Sequence, residues 1–362
     1  MILLFQASVS VKSVPSIDIF RGWCLPFAMS LSVLSRDGVI RGRLAPSPTG
    51  NIHLGNAWAF MLAWLVARQA GGKVLLRMED IDPDRARPEY AEGIMADLRW
   101  LGLDWDEGPD IGGPCGPYVQ SRRVQDYARV LDVLATLGAV YPCYCTRKEL
   151  RTLAGAPHPG DLGAPYPGTC RNLTIEECSR KEKEGRRPAM RLRWPDGVFA
   201  FDDGLFGPQQ AGGESCGGDF ALRRSDGVFA YQLAVVVDDI AMGVTQVVRG
   251  ADLLSCTPRQ LALYSLLGAQ PPAYLHVPLL LDATGERLAK RHQSLEIRAL
   301  RNAGVPAANI TGYLAMLAGM IPDFVPRAPK DCVGLLSTAT LPTLPLVTPA
   351  DILDRLKKGT SR

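Results

Sequence analysis

Apolar and polar positions follow two alternating periods, and the alternation starts near Val39. Residues 39–45 predict a short strand that runs into a turn-forming stretch, Pro46-Ser47-Pro48-Thr49-Gly50. From Gly55 to about Gln69 the chain is apolar nearly all round, which predicts a helix covered on several sides and ended by Gly71-Gly72. Residues 73–78 predict a second, buried strand, and 88–101 an amphipathic helix with Pro88 just inside its start. Strand, helix, strand in this order implies a parallel sheet with a crossover helix. Ligands on such sheets sit beyond the carboxyl ends of the strands. The turn after the first strand and the acids after the second (Glu79, Asp80, Asp82) both fall at that edge.

Between Cys143 and Asp219 this rhythm breaks. The segment holds a cysteine pair, a Gly/Pro-rich loop from Gly155 to Gly168 and a basic stretch from Lys181 to Arg193, and it predicts an insertion with its own small fold. The α/β pattern resumes at Phe220. There, 231–237 predict a buried strand ending at Asp238-Asp239, 258–267 a helix and 294–320 a long helix. The chain beyond Ile321 is Pro-rich, with a last short helix at 349–358. The expected class is α/β, a Rossmann-type parallel-sheet core with an insertion and a short helical C-terminal part. Its expected divisions are 1–38, 39–142, 143–219, 220–293 and 294–362.

Composition narrows the chemistry. Of 362 residues, 47 % are apolar and 21 % charged, ordinary for a globular protein. A net charge of +3 is too weak to announce a nucleic-acid binder, so any RNA contact must come from local patches. Nine cysteines, an odd number, suit reduced thiols and a metal site better than a disulfide scaffold. The longest apolar run, 57–67, is too short to cross a membrane. The expected setting is the cytoplasm, with no membrane partner. Residues 1–38 begin with an apolar stretch that no basic segment precedes, and they read as an extension outside the fold, with Met29 as an alternative start.

The most informative stretch is Arg43-Leu44-Ala45-Pro46-Ser47-Pro48-Thr49-Gly50-Asn51-Ile52-His53-Leu54-Gly55-Asn56. A rigid Pro/Gly turn feeding a helix N-terminus suits an anion. His53 can donate to phosphate oxygens, and Gly55 lets a ligand approach the backbone. Further along, Cys143-x-Cys145 and Cys170 offer three thiolates for a tetrahedral metal. By ligand chemistry alone, His158 or Cys178 is the natural fourth ligand.

That stretch resembles the HIGH-motif signature of glutamyl-type class I aminoacyl-tRNA synthetases, in which Arg-Phe-Ala-Pro-Ser-Pro-Thr-Gly precedes His-x-Gly. Arg77-Met78-Glu79-Asp80-Ile81-Asp82 is similar to the family's Arg-Ile-Glu-Asp-Thr-Asp. Tyr118-Val119-Gln120-Ser121-Arg122 and Val248-Arg249-Gly250-Ala251-Asp252-Leu253-Leu254 also match, and Arg287-Leu288-Ala289-Lys290-Arg291 resembles the KMSKS loop. The resemblance implies a class I synthetase core that binds ATP and glutamate, with magnesium accompanying the ATP. Pro46, His53, Gly55, Asn56, Arg287 and Lys290 fall at nucleotide-binding positions, with His53 and Lys290 serving catalysis.

Glutamate presents two carboxylates and an ammonium group. Arg43 and Arg249 can clamp carboxylates, Glu79 can pair with the ammonium, and Ser47 and Tyr231 add neutral hydrogen bonds. The resemblance assigns the same five positions. It also implies zinc in the insertion, with Tyr166 as fourth ligand beside Cys143, Cys145 and Cys170, although the loop before Tyr166 is longer than usual. Two positions depart from the family: Asn56 replaces the second His of the HIGH tetrad, and Arg287 the first Lys of the loop.

Only 71 residues follow Arg291. The chain therefore resembles the short glutamyl-queuosine branch of the family, which lacks an anticodon-binding domain. That branch attaches glutamate to the queuosine base of tRNA(Asp), and the expected state is a monomer. The alternatives are a shortened enzyme that charges tRNA(Glu), and an inactive synthetase-like RNA-binding protein. Basic residues at Arg122, Arg123, Lys181, Lys183, Arg186, Arg187, Arg191, Arg193, Arg223 and Arg224 are the candidate RNA contacts.

Overall fold

A computed structural model describes residues 39–146, 148–150, 166–288 and 293–360. The expected N-terminal extension, His158 and Lys290 lie outside the described residues. Strands β1 (Arg41–Leu44) and β2 (Lys73–Leu76) pair in parallel, Arg41 opposite Lys73 and Leu44 opposite Leu76. Helix α1 (Leu54–Gln69) joins them, and Gly71 ends it at φ 66°, a left-handed conformation that favours glycine. Its buried side chains include Leu54, Trp58, Met61, Leu62 and Leu65, and the Trp58 indole N–H donates to the Pro278 carbonyl at 2.8 Å. Helix α2 (Pro88–Trp100) follows.

After α3 (Val124–Thr136), strand β3 (Val140–Cys143) leads into the cysteine-bearing stretch, whose described helix is α4 (Ile175–Lys183). Next come β4 (Ala189–Leu192), β5 (Val198–Asp203), β6 (Gly207–Gly212) and β7 (Ala221–Arg223). Strands β3, β4 and β7 form a small antiparallel sheet. By contrast, β5 and β6 belong to the main sheet with β8 (Gln246–Gly250) and β9 (Ala273–Val277). β8 and β9 run parallel, with Arg249 opposite His276. The Thr245 N–H donates to the Arg41 carbonyl at 3.0 Å, and the Arg41 N–H to the Thr245 hydroxyl at 2.8 Å, which sets β1 beside β8.

Two elements differ from their sequence patterns. The expected strand at 231–237 is helix α5 (Tyr231–Ala241). Leu233 to Val237 are all buried, so the run is apolar all round, and a short run of that kind does not distinguish strand from covered helix. As a helix, it carries Asp238 and Asp239 into the interior. The expected single helix at 294–320 is a short 3-10 turn, then α7 (Ile297–Asn302) and α8 (Ala307–Leu317). Gly304 (φ 81°) and Pro306, which lacks an N–H, break it.

Helix α6 (Thr257–Leu266) packs on α5. The Pro-rich tail folds back over the first core. There β11 (Leu346–Val347) pairs with β10 (Leu280–Leu281), and α9 (Ile352–Lys358) buries Leu356 beside Asn309, whose side-chain amide donates to the Leu356 carbonyl at 2.7 Å. Among the described residues no helix is long and apolar enough to cross a membrane.

Asp238 is the junction between α5 and α3. It accepts from Arg123 at 2.6 Å, from Gln120 at 2.9 Å and from the Tyr127 hydroxyl at 3.0 Å, and it lies 3.7 Å from Arg77. Asp238→Ala strands these buried donors. The expected loss is about 3–5 kcal/mol of stability, read as a lower urea midpoint; a midpoint equal to wild type contradicts the role.

Candidate active site

The carboxyl ends of β1 and β2 are tied together. The Arg77 N–H donates to the Leu44 carbonyl and the Glu79 N–H to the Pro46 carbonyl, each at 2.9 Å. The turn between them delivers His53 as the N-cap of α1. Its Nδ1 accepts the Gly55 N–H at 3.1 Å and the Asn56 N–H at 3.3 Å, so a neutral ring carries its proton on Nε2. Asn56 answers through its side-chain oxygen, which accepts the His53 N–H at 3.0 Å. The two form a reciprocal cap.

A Cβ on Gly55 would stand 3.1 Å from Cε1 and Nδ1 of His53 and 3.8 Å from the Leu288 Cβ. Gly55 therefore leaves room for the imidazole as well as for a ligand, and the loop that leads to Lys290 passes beside it. Arg287, on the same loop, is exposed and ion-paired with Asp252, just past β8. Of the acids after β2, only Glu79 is buried. Asp80 accepts from the N–H and hydroxyl of Ser121 at 2.8 and 2.6 Å, and Asp82 pairs with Arg224 at 3.3 Å. Ser47 is exposed in the turn next to Pro46.

Behind the turn lies a buried charge cluster. Arg77 is completely buried and bridges Asp239 at 2.7 Å and Glu79 at 3.0 Å. Arg43 donates to the Val248 carbonyl at 3.1 Å and lies 3.9 Å from Asp239. Burial raises the Glu79 carboxyl above its ordinary value, and the positive charges of Arg77 and Arg43 oppose the shift. The Tyr231 hydroxyl, at the start of α5, is likewise raised by burial, and it feels Arg249, Glu79 and Arg43 together. Four of the predicted residues, Arg43, Glu79, Tyr231 and Arg249, thus lie near enough to one another to interact electrostatically.

Arg249 occupies β8 itself, 5 % exposed. Its Nε–H donates to His276 Nε2 at 3.0 Å, one terminal nitrogen to Gln260 at 2.9 Å and the other to the Thr257 hydroxyl at 2.8 Å. All three partners are neutral, and among the described residues Arg249 has no carboxylate partner. His276 is held from behind by Asp203, 2.6 Å from Nδ1. Burial lowers its pKa against the pull of Asp203, so the ring stays neutral. Sequence reasoning missed His276, Asp203, Gln260 and Thr257. The available signal was a polar His inside the apolar strand 273–277.

In the insertion, the sulfurs of Cys143, Cys145 and Cys170 all lie within 4.8 Å of one another, a possible metal-binding cluster. The Tyr166 hydroxyl is 3.4 Å from the Cys143 sulfur and 3.8 Å from that of Cys145, and it accepts the Cys170 N–H at 2.8 Å. The Arg191 guanidinium stacks 3.9 Å over the Tyr166 ring. Burial pushes the Cys143 thiol up, but the Tyr166 hydroxyl and Arg191 overcome it and leave the thiol below its ordinary value. Burial and the neighbouring Cys143 raise Cys145 to about 12. Cys178 is outside the trio and interacts with Tyr144 instead.

A family model described as tRNA synthetases class I (E and Q), catalytic domain, matches residues 39–324. The chain belongs to that family. It is 99 % identical over 324 residues to a glutamyl-Q tRNA(Asp) synthetase of Nitratidesulfovibrio vulgaris, covering 90 % of this chain and 100 % of the relative. A glutamyl-Q tRNA(Asp) synthetase of Symbiobacterium thermophilum is 50 % identical over 321 residues, 88 % of this chain and 99 % of the relative. The fold matches a crystal structure of a glutamate tRNA ligase from Elizabethkingia meningosepticum in complex with its amino acid. The TM-score is 0.73 and the identity 24 %, over 88 % of this chain and 68 % of that one.

Within this synthetase framework, the basic residues of the sequence divide. Arg123 is buried on Asp238, Arg191 donates to the Asp219 carbonyl at 3.1 Å, and Arg193 donates to the Arg171 carbonyl at 2.8 Å. These three brace the fold. Arg122, Lys183, Arg186 and Arg187 are exposed, whereas Lys181, Arg223 and Arg224 are partly buried. At the HIGH position, Asn56 is first of all a cap. Asn56→Ala should lower stability by about 1 kcal/mol, seen as a shifted urea midpoint at constant slope; an unshifted midpoint would remove the capping role.

Proposed function

We propose that the protein activates L-glutamate with ATP as glutamyl-adenylate, and transfers the glutamyl group to the queuosine base in the anticodon loop of tRNA(Asp). Arg249 carries the reading. A guanidinium that is 5 % exposed and hydrogen-bonded to neutral groups leaves its charge for an anionic ligand. Glu79, a buried carboxylate in the same pocket, suits the ligand's ammonium. Glutamate supplies both charges, and Arg43, Tyr231 and Ser47 complete its contacts. The two glutamyl-Q tRNA(Asp) synthetase relatives support the acceptor.

The glutamate α-carboxylate attacks the α-phosphorus of ATP, and pyrophosphate leaves. A queuosine hydroxyl then attacks the acyl carbon and displaces AMP. The protein needs no nucleophile, because positioning and charge stabilisation suffice. His53 donates from Nε2 to phosphate oxygens at the start of α1, with Pro46, Gly55 and Asn56 shaping the nucleotide seat. Arg287 and Lys290, at the positions similar to the family's KMSKS loop, supply positive charge for the departing pyrophosphate. Magnesium enters with the ATP. The reaction belongs to the cytoplasm, which suits the eight described cysteines, all of them free thiols.

Glutamate-dependent exchange of pyrophosphate into ATP, followed by charging of tRNA(Asp) with and without queuosine, tests both steps. Exchange and queuosine-dependent charging are expected. Arg249→Ala should weaken glutamate recognition by about 2–5 kcal/mol, enough to abolish measurable exchange. Charging of tRNA(Glu) instead would replace the acceptor, and no exchange by wild type would leave an RNA-binding protein.

Zinc is the metal the cysteine cluster fits. Cys145 and Cys170 sulfurs are 3.6 Å apart, against about 3.8 Å for two thiolates on one tetrahedral zinc. Cys143, Cys145, Cys170 and the Tyr166 oxygen would hold it as a structural staple. One zinc per chain is expected by elemental analysis, with less than half of that in Cys170→Ser. Metal-free protein with every thiol titrating would sink the assignment.

A further inference from the structure

Nothing in the glutamate-binding role assigned to Arg249 requires His276 or Asp203, yet both are buried against it. Asp203 is the last residue of β5 and lies 4 % exposed, with four donors directed at it. One oxygen accepts the N–H groups of Leu205 and Phe206 at 3.1 and 3.0 Å; the other accepts the His276 N–H at 3.0 Å and His276 Nδ1 at 2.6 Å. A carboxylate with this surrounding can only accept, so Nδ1 carries the imidazole proton and Nε2 is left as an acceptor. That acceptor takes the Arg249 Nε–H at 3.0 Å. Thr257 and Gln260 take one hydrogen from each terminal nitrogen. The plane of the guanidinium is thereby fixed at three points, and its two remaining hydrogens can face a carboxylate side by side.

We propose that Asp203 and His276 are a positioning pair for Arg249: Asp203 sets the tautomer of His276, and His276 sets the orientation in which Arg249 meets a carboxylate of the amino-acid substrate. The inference rests on the glutamate-binding reading of Arg249. Ion pairing would have fixed Arg249 equally well, but it would have cancelled the charge that the substrate needs. A neutral imidazole holds the guanidinium without cancelling it. The aspartate charge that makes the imidazole a good acceptor stays one ring away.

Two substitutions at one position separate the halves of the device. In His276→Asn the side-chain amide can still donate toward Asp203, but nothing reaches Arg249. In His276→Gln the side-chain oxygen can reach the Arg249 Nε–H. Pyrophosphate exchange is measured for each, varying glutamate and ATP separately. His276→Asn should raise the KM for glutamate about tenfold or more with the KM for ATP within about twofold, as expected when substrate binding alone is weakened. His276→Gln should recover most of that loss.

A purely structural role would lower the folded fraction and the maximal rate without this split. Equal behaviour of the two variants, or an unchanged glutamate KM in His276→Asn, overturns the inference. If His276→Asn does not fold, Asp203→Asn takes its place. Its amide can donate to Nδ1 and so turn Nε2 into a donor facing Arg249; a raised glutamate KM is again expected, and an unchanged one overturns the pair. Wild-type protein that shows no glutamate-dependent exchange would bring down the reading of the site itself. Wild type that exchanges normally beside unaffected variants would bring down only the positioning pair.

Discussion

The Arg77 guanidinium, with no exposed surface, is where the two halves of the catalytic core are held in register. It projects from the end of β2 and binds Glu79 on its own strand end and Asp239 on α5. An unpaired guanidinium in that interior would cost several kcal/mol, so every neighbour is constrained to supply its carboxylates. Three arginines (Arg43, Arg77, Arg123) face three acids (Glu79, Asp238, Asp239) across the junction of β1, β2, α3 and α5. Coulomb attraction offsets the desolvation cost of each of these charges only while its partner stays in place, which ties the ends of β1 and β2 to α5.

Arg249 follows the opposite rule within the same sheet. Where Arg77 is neutralised by acids, Arg249 is surrounded by an imidazole, an amide and a hydroxyl. The contrast separates scaffold from site: a buried cation with buried anions is structural, and a buried cation with only neutral partners is prepared for an anion. The acids do not divide in this way: Asp82, Asp238 and Glu79 are paired with Arg224, Arg123 and Arg77, and Asp80 accepts from Ser121. Glu79 differs from the others in that burial, opposed by Arg77 and Arg43, raises its carboxyl above its ordinary value beside Tyr231.

Much of the architecture was legible because period and punctuation agreed. The β1–α1–β2 unit, its glycine stop and the cysteine trio follow from short-range chemistry. The helix at Tyr231 was not legible, because a buried helix and a buried strand share one apolar run, and only the placement of Asp238 and Asp239 against Arg77 and Arg123 decides between them. The motif residues Arg43, Glu79, Tyr231 and Arg249 lie near one another, but their partners could not be read. His276 lies 27 positions from Arg249 and Asp203 lies 73 from His276. Sequence spacing carries no trace of pairings that parallel strand register creates. For the same reason, the basic residues offered as candidate RNA contacts include Arg123, which is buried on Asp238, and Arg191 and Arg193, which donate to main-chain carbonyls.

Asp203 also changes how the stretch 143–219 relates to the catalytic core. Its first part carries the cysteine cluster and the small β3–β4–β7 sheet, while β5 and β6 are strands of the sheet that holds β8 and β9. Asp203 sits at the turn between β5 and β6, where β5 meets β9 opposite Tyr274. Asp219 joins the two parts: its carboxylate accepts from the Tyr141 hydroxyl at 2.6 Å, the Trp194 N–H at 2.7 Å and Arg171 at 3.0 Å. Tyr141 is on β3, two residues before Cys143, and the Trp194 ring packs edge-on against Phe199 of β5. A continuous set of buried contacts therefore runs from the cysteine cluster through Asp219 and β5 to Asp203, His276 and Arg249. The segment that differs most from an alternating α/β pattern thus supplies Asp203, which holds His276 against Arg249.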